Sequence, residues 1–274
     1  MGIHTSDAIV LRRYPFRETS VIVTCLTERY GKLKGLVKGL RAHPNRHRSA
    51  MEPLTVNRIV FYDTHTSQLH LISQCELLAP LTPLQRDVET ARLAGFCVDL
   101  VDAVVPLEEP QPLVYQLLTH TLDRLALGLP DGLSVRLHFV ARLLHLSGFH
   151  PQLTECTGCG TPVHAGGCWS PRHGGLLCAG CLHEDPHAEA VSRQTLETLE
   201  ALVNAEQPPM LGDPLRSVLG QRLDEFLRWR LDRPLKTLEA QGSGLRAQTQ
   251  PQARSPQPPA VLQQDPRPTT QSQR

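Results

Sequence analysis

Long apolar runs are missing from this sequence. None approaches the roughly eighteen residues that a membrane-spanning helix needs. The amino terminus also lacks the charged and then apolar stretch of a secretory leader, and Met1–His4 leads directly into a strand pattern. Eight cysteines are present, but four have metal-ligand spacing, and Cys25, Cys75 and Cys97 lie in apolar patterns typical of reduced core residues. We therefore expect a protein of the reducing cytoplasm with no membrane partner.

Sequence motifs of common enzyme classes are also absent. The chain has no G-x-x-x-x-G-K-[ST] phosphate loop, no G-x-S-x-G elbow and no G-x-G-x-x-G motif. His183–His187 reads H-E-D-P-H and matches the H-E-x-x-H pattern of zinc peptidases, which requires both histidines on one helical face. Pro186 would break such a helix. We predict a protein that is not an enzyme, and a metal-dependent hydrolase using His183 and His187 is the alternative.

Two Cys-x-x-Cys pairs are the strongest motif in the chain. Cys156 and Cys159 form the first pair, and Cys178 and Cys181 follow after eighteen intervening residues. Four thiolates at this spacing are typical of a closed structural zinc site, which leaves no open coordination position for catalysis. Because the glycine-rich segment between the pairs can bury little surface, zinc would supply most of its folding free energy. The alternative ligands are Cys168, His164 and His173, and the alternative to a metal is a redox dithiol.

The first eighty residues show the pattern of short strands. Five β-rich runs are separated by turn-forming residues, at 8–11, 21–26, 33–37, 54–62 and 69–72. Five short antiparallel strands in this length predict a small barrel of the OB type over residues 1–80. An SH3-like barrel is the alternative, because periodicity alone does not separate the two.

Beyond residue 80 the apolar period changes to that of helices. We predict helices over 83–104, from Pro110 to about Leu127, over 134–147, from Ser192, and from Asp213 as an N-cap residue. The predicted fold class is therefore α+β and multidomain. A zinc segment at 151–187 is inserted into a helical bundle whose two parts are residues 81–150 and 188–240.

The carboxy-terminal stretch 241–274 contains nine glutamines and six prolines and has almost no large apolar side chains. Such a composition cannot build a core, so we predict a disordered Gln/Pro-rich tail.

Charge is distributed unevenly along a chain whose net charge is only +1. Residues 29–48 contain seven Lys or Arg and no acid, and a second basic group lies near Tyr14 and Phe16. Cations interleaved with aromatics are typical of single-strand binding, in which bases stack on rings and phosphates meet cations. The candidate DNA-binding residues are Arg12, Arg13, Lys32, Lys34, Lys38, Arg41, Arg46 and Arg48. No recognition-helix pattern is present, so binding should be largely independent of sequence. A solvated basic loop is the alternative.

Several motifs occur together in an order that resembles the RecO family of bacterial recombination mediators, over about residues 1–240. In the amino-terminal part they are Ala8–Leu11, Glu18, Thr27, Gly31-Lys32 and Lys38–Arg41. Farther along they are Leu146–Pro151 leading into the first cysteine pair, Gly174-Gly175 before the second pair, and Leu231–Lys236. The tail 241–274 departs from the family pattern.

The resemblance implies an OB domain, a helical domain and a structural zinc. It also implies binding of single- and double-stranded DNA, annealing of complementary strands, and help for the recombinase RecA in displacing single-strand-binding protein. The implied partners are RecR and the acidic tail of single-strand-binding protein, in a bacterial cytoplasm at the nucleoid. In the family that tail docks on the helical domain, and a pocket with Arg124, Arg136 or Arg142 beside apolar residues is our candidate. A zinc-containing adaptor without direct DNA binding is the alternative.

Overall fold

A computed structural model describes residues 2–41, 51–64, 68–80, 82–85, 87–128, 131–163, 167–231 and 235. The predicted loop cations Arg46 and Arg48, the alternative ligand His164 and the predicted tail 241–274 lie outside the described residues.

The amino-terminal strands close into a barrel. They are β1 (Ile3–Phe16), β2 (Ser20–Thr27), β3 (Gly31–Val37), β4 (Thr55–Tyr62) and β5 (Leu69–Pro80). Their order around the barrel is β1-β2-β3-β5-β4, and β3 and β5 run parallel while the other pairs are antiparallel. This order, with β5 between β3 and β4, is that of the OB-type Greek-key barrel and confirms the prediction over the SH3-like alternative.

Every second side chain along the strands points inward, and these side chains fill the barrel interior. Val23, Cys25 and Leu33 are among the inward residues of a core that belongs to the barrel alone. Strands β1 and β5 are longer than predicted, at 14 and 12 residues. The start of β1 and the end of β5 pair with β4, and the end of β1 pairs with β2. The predicted runs covered only their apolar parts.

Five helices follow the barrel in the described part of the chain. They are α1 (Val88–Val104), α2 (Pro112–Ala126), α3 (Gly132–Leu146), α4 (Arg193–Asn204) and α5 (Asp213–Arg230). The helix predicted over 83–104 is shorter than expected, because α1 begins only at Val88. The Asp87 side chain caps α1 by accepting a hydrogen bond of 2.8 Å from the Thr90 amide. The prediction of Asp213 as N-cap is wrong by one residue, since Gly212 is the cap and Asp213 lies in the first turn of α5.

The cysteine pairs lie in a small sheet between α3 and α4. Its strands are β6 (Gln152–Cys156), β7 (Cys168–Ser170), β8 (Gly175–Leu177) and β9 (Glu189–Ala190), in the order β6-β8-β7-β9. Trp169 of β7 is buried, and its ring centroid lies 5.9 Å from that of Phe226 in α5. This contact packs the small sheet against the helical domain.

Part of the outer barrel surface packs on the helical domain. The outward residues Ile9, Leu11 and Leu26 belong to the helical core rather than to the barrel core. Gly31 has a φ of +70°, and a Cβ at this position would collide with the backbone of Glu109, so only glycine allows the close approach. None of the helices in the described residues is long and apolar enough to cross a membrane.

Candidate nucleic-acid interface and metal centre

Two of the predicted DNA-binding cations lie at the junction of the barrel with α1. Lys32 is only 7% exposed, and its Nζ donates a 2.7 Å hydrogen bond to the backbone oxygen of Asp102. The same Nζ lies 3.6 Å from the Asp102 carboxylate. Arg12 binds the carboxylates of Asp102 and Asp99, the latter at 3.2 Å. These cations neutralise Asp99 and Asp102 of α1 and join the two domains.

The pKa of Arg12 agrees with this role. Burial alone would lower it, but the hydrogen bond and charge of Asp102, with the charge of Asp99, raise the pKa of Arg12 above its ordinary value. We therefore leave Lys32 and Arg12 out of the proposed DNA surface.

The outer face of the barrel that α1 does not cover carries a row of half-buried apolar side chains. Tyr14 on β1 pairs with Ile22 on β2, and Ile22 pairs with Leu36 on β3. Directly paired residues point to the same face of a sheet, so the three side chains lie side by side. Tyr14 is 49% exposed, which leaves its ring accessible for stacking. We call this row the free barrel face.

Cations border the free barrel face. Lys34 lies two residues before Leu36 on the same face of β3, opposite Thr24, and its side chain is exposed. On the opposite side of the row from Lys34, a shallow cleft is lined by Leu36, Lys38, Phe16 and Arg17, together with the acid Glu18. The Arg17 guanidinium lies 5.2 Å from the centroid of the Phe16 ring.

The segment after β3 brings Arg41 to the same end of the barrel. The Arg41 amide donates a 2.8 Å hydrogen bond to Thr19, and its guanidinium donates one of 3.2 Å to the Arg17 backbone oxygen. Arg13 forms an ion pair with Glu52. Burial, and to a smaller extent the positive charge of nearby Arg41, lower the pKa of Arg13.

The arrangement suits a polyanion with accessible bases. Cations on an OB-type β2–β3 face can meet phosphates, and an exposed ring beside aliphatic side chains can support a base. Of the predicted residues, Lys34, Lys38 and Arg41 border this face, and Arg13 lies beside Arg41. Sequence reasoning missed Ile22 and Leu36, because only the strand register shows that they align with Tyr14.

The four predicted cysteines converge at the end of the small sheet. Their sulfur atoms all lie within 4.8 Å of one another, and the Sγ atoms of Cys159 and Cys178 are 3.7 Å apart. A tetrahedral site with metal–sulfur bonds of about 2.3 Å places its sulfurs about 3.8 Å apart. The four thiols can therefore hold one metal ion.

Backbone amides favour the thiolate form of Cys156 in this cluster. Burial would raise the pKa of Cys156, but amides of Cys178, Cys159 and Gly158 donate to its sulfur and lower the pKa to about 6. The Cys178 amide lies 3.2 Å from that sulfur. Binding of a cation would relieve the charge repulsion that arises among neighbouring thiolates.

Two of the alternative ligands, Cys168 and His173, lie outside the four-sulfur cluster. Cys168 is paired with Leu177 across the small sheet and is not part of the four-sulfur cluster. The ring of His173 bonds to the Ser170 hydroxyl at 3.0 Å. His183 lies in a 3₁₀ turn that ends at Glu184, so His183 and His187 do not share a helical face.

A cleft of about 560 Å³ lies in the helical domain. Its lining includes Leu117 and Arg124 of α2, Arg142 of α3, and the acids Asp123 and Glu206. Arg142 donates a 2.6 Å hydrogen bond to the Ala205 backbone oxygen.

Arg136, the third arginine of the predicted pocket, lies outside this cleft. It is 4% exposed, forms an ion pair with Asp224 and places its guanidinium 4.1 Å from the Phe96 ring centroid.

Comparison with known proteins now adds to this geometry. The family model described as Recombination protein O N terminal matches residues 1–81, and the one described as Recombination protein O C terminal matches residues 85–239. The chain belongs to the RecO family. The two models meet next to the junction of the barrel with α1.

Named RecO proteins resemble the chain over most of its length. The DNA repair protein RecO of Desulforudis audaxviator is 33% identical over 238 residues, which cover 87% of this chain and 84% of the relative. The DNA repair protein RecO of Cutibacterium acnes is 30% identical over 254 residues, covering 87% of this chain and 98% of the relative. The chain therefore belongs to a DNA repair family, and both family models match it.

Proposed function

We propose that this RecO chain is a non-catalytic mediator of DNA repair and recombination in the bacterial cytoplasm. It binds single- and double-stranded DNA largely without regard to sequence and anneals complementary strands. With RecR it helps to load RecA onto DNA that is coated by single-strand-binding protein. Membership of the RecO family supports the repair role, and the site geometry supports DNA contact.

The free barrel face is the observation that carries this proposal. It combines an exposed tyrosine, aliphatic neighbours and cations on the β2–β3 surface, where OB-type barrels bind oligonucleotides. Lys32 and Arg12 neutralise Asp99 and Asp102 of α1, which lowers the repulsion of an approaching phosphate backbone by these two acids.

Salt-dependent binding of a fluorescent oligonucleotide tests the interface. In Lys34→Ala/Lys38→Ala we expect weaker binding and a smaller salt dependence, because each lost phosphate contact lowers the slope of log K against log salt by about 0.7 on single strands. The matched control is Arg58→Ala/Arg193→Ala, which removes two exposed cations that are paired with Asp7 and Glu197. Equal affinity and slope in the first variant and the wild type would contradict the assigned surface.

For the metal centre we propose one structural zinc ion held by Cys156, Cys159, Cys178 and Cys181. Four thiolates match the preference of zinc for sulfur in a tetrahedron, and the sulfur separations suit that geometry. The metal would fix the small sheet and its turns. Its four protein ligands leave no position for substrate, in keeping with a non-catalytic role.

The helical-domain cleft is our proposed docking site for the acidic tail of single-strand-binding protein. Arg124 and Arg142 supply positive charge beside Leu117 and other apolar residues, which suits a peptide that has both acidic and apolar side chains. Arg136 is excluded because its charge is already satisfied by Asp224. The adaptor alternative predicts that this cleft binds the tail while no oligonucleotide binds at low salt.

A further inference from the structure

We propose a second contact surface for single-stranded nucleic acid, formed by Arg228, Trp229 and Arg230 at the end of α5 together with Arg172. It extends the proposed DNA-binding function, on which it rests, to a surface outside the barrel. We call these four residues the α5-end surface.

An accessible tryptophan is the first observation. Of the two tryptophans in the chain, Trp169 is 1% exposed and supports the small sheet, whereas Trp229 is 57% exposed. Trp229 lies in the last turn of α5 between Arg228 and Arg230, and both arginines are exposed. An indole ring flanked by guanidinium groups supplies stacking planes and positive charge, which single-strand binding uses together.

Charge pairing distinguishes these arginines from others in the helical domain. Arg136, Arg216 and Arg222 each form an ion pair with an aspartate or glutamate. Within the described residues, no carboxylate pairs with Arg172, Arg228 or Arg230, and their charge is available to an anion. A concentration of cations beside an exposed ring favours a nucleic acid over an uncharged protein surface.

The small sheet positions this surface. The Arg230 guanidinium lies 5.4 Å from the Phe226 ring centroid and against Gly174, where a Cβ would collide with it. Gly174 ends the turn that contains Arg172, and it has a φ of +87°. The turn is closed by a 3.0 Å hydrogen bond from the Gly174 amide to Ser170. The turn that contains Arg172 is therefore packed against the end of α5 through the contact of Gly174 with Arg230.

Intrinsic fluorescence tests the proposal on the full-length protein. Titration with an oligo-dT strand at low salt should quench the emission of Trp229 and protect it from iodide. Trp229→Phe should lose that response, which assigns the signal to Trp229 rather than to buried Trp169. In Arg172→Gln/Arg228→Gln we expect the quenching curve to shift to about fivefold weaker binding, equivalent to about 1 kcal/mol. Arg193→Gln is the control, because that exposed arginine is paired with Glu197.

The results of these titrations distinguish binding at the α5-end surface from binding at the barrel. If the wild type shows no oligonucleotide binding by anisotropy, the proposed DNA-binding function fails. If the wild type binds while Trp229 emission and iodide access stay unchanged, the α5-end surface is refuted and the barrel interface stands. Quenching by an acidic peptide but not by oligo-dT would also overturn the proposal and identify a protein-docking surface.

Discussion

Lys32 and Lys34 show how a neighbouring domain decides the role of a charge. The two lysines lie on the same outer face of β3, because they are two residues apart in a strand. Helix α1 lies over Lys32 and satisfies its charge with Asp102, whereas Lys34 lies beyond α1 and is exposed. The strand pattern predicted that Lys34 points outward, but nothing local to β3 shows where α1 packs. The sequence therefore predicted DNA contact for both lysines, whereas the fold places Lys32 at a domain junction and leaves Lys34 exposed.

Matched substitutions of these lysines test the separation. Lys32→Met should lower the free energy of unfolding by about 2 kcal/mol, because the Asp102 backbone oxygen and carboxylate lose a buried donor. Arg12 still pairs with Asp102, so the loss is smaller than for an isolated buried charge. Lys34→Met should change stability by less than about 0.5 kcal/mol but weaken oligonucleotide binding. Urea unfolding and anisotropy measure the two effects, and reduced salt dependence in folded Lys32→Met would contradict our assignment.

At the scale of elements, strong periodic patterns predicted most of the fold. The structure has its five barrel strands and its helices where apolar residues of the sequence repeat at the strand or helix period. Shorter features escaped prediction. The strands of the small sheet have five residues or fewer, too few to show a period, and Gly212 rather than Asp213 caps α5 because backbone angles decide a cap.

The small sheet should depend on the zinc ion that we propose for its four cysteines. Because its strands are short, we expect Cys178→Ser to reduce the zinc content from about one ion per chain to a small fraction and to destabilise the fold. Cys168→Ser is the matched control, since Cys168 lies in the same segment but outside the four-sulfur cluster. Elemental analysis and thermal unfolding measure the two effects. Stoichiometric metal in a Cys156→Ser/Cys178→Ser double variant would exclude the four-thiolate site.

For the whole molecule, the proposed contacts are distributed over separate surfaces. The barrel offers the free barrel face, the helical domain offers the cleft with Arg124, and the end of α5 offers an exposed tryptophan. The sequence predicted an interface at Tyr14 and the basic segment, and the proposed surface includes both. The alignment of Ile22 and Leu36 with Tyr14, and the contact of Arg230 with Gly174, depend on register and on long-range packing, so no local pattern predicted them.

These surfaces should make separable contributions to strand annealing. We expect the protein to accelerate annealing of complementary oligonucleotides, both bare and coated with single-strand-binding protein. Lys34→Ala/Lys38→Ala should slow both reactions, because DNA contact is common to them. Arg124→Ala should slow only the reaction of coated strands, because its proposed partner is the protein coat.

Arg124 suits this comparison because, within the part of the chain that the structure describes, its side chain is held by a single 3.0 Å hydrogen bond to the Gln207 side chain. Its removal should therefore leave the fold intact. Fluorescence transfer between labelled strands measures both annealing rates. Equal slowing of bare and coated strands by Arg124→Ala would assign that arginine to DNA contact and contradict the cleft proposal. Unchanged rates in both variants would show that annealing depends on other parts of the molecule. The pair of substrates thus distinguishes contact with DNA from contact with its protein coat.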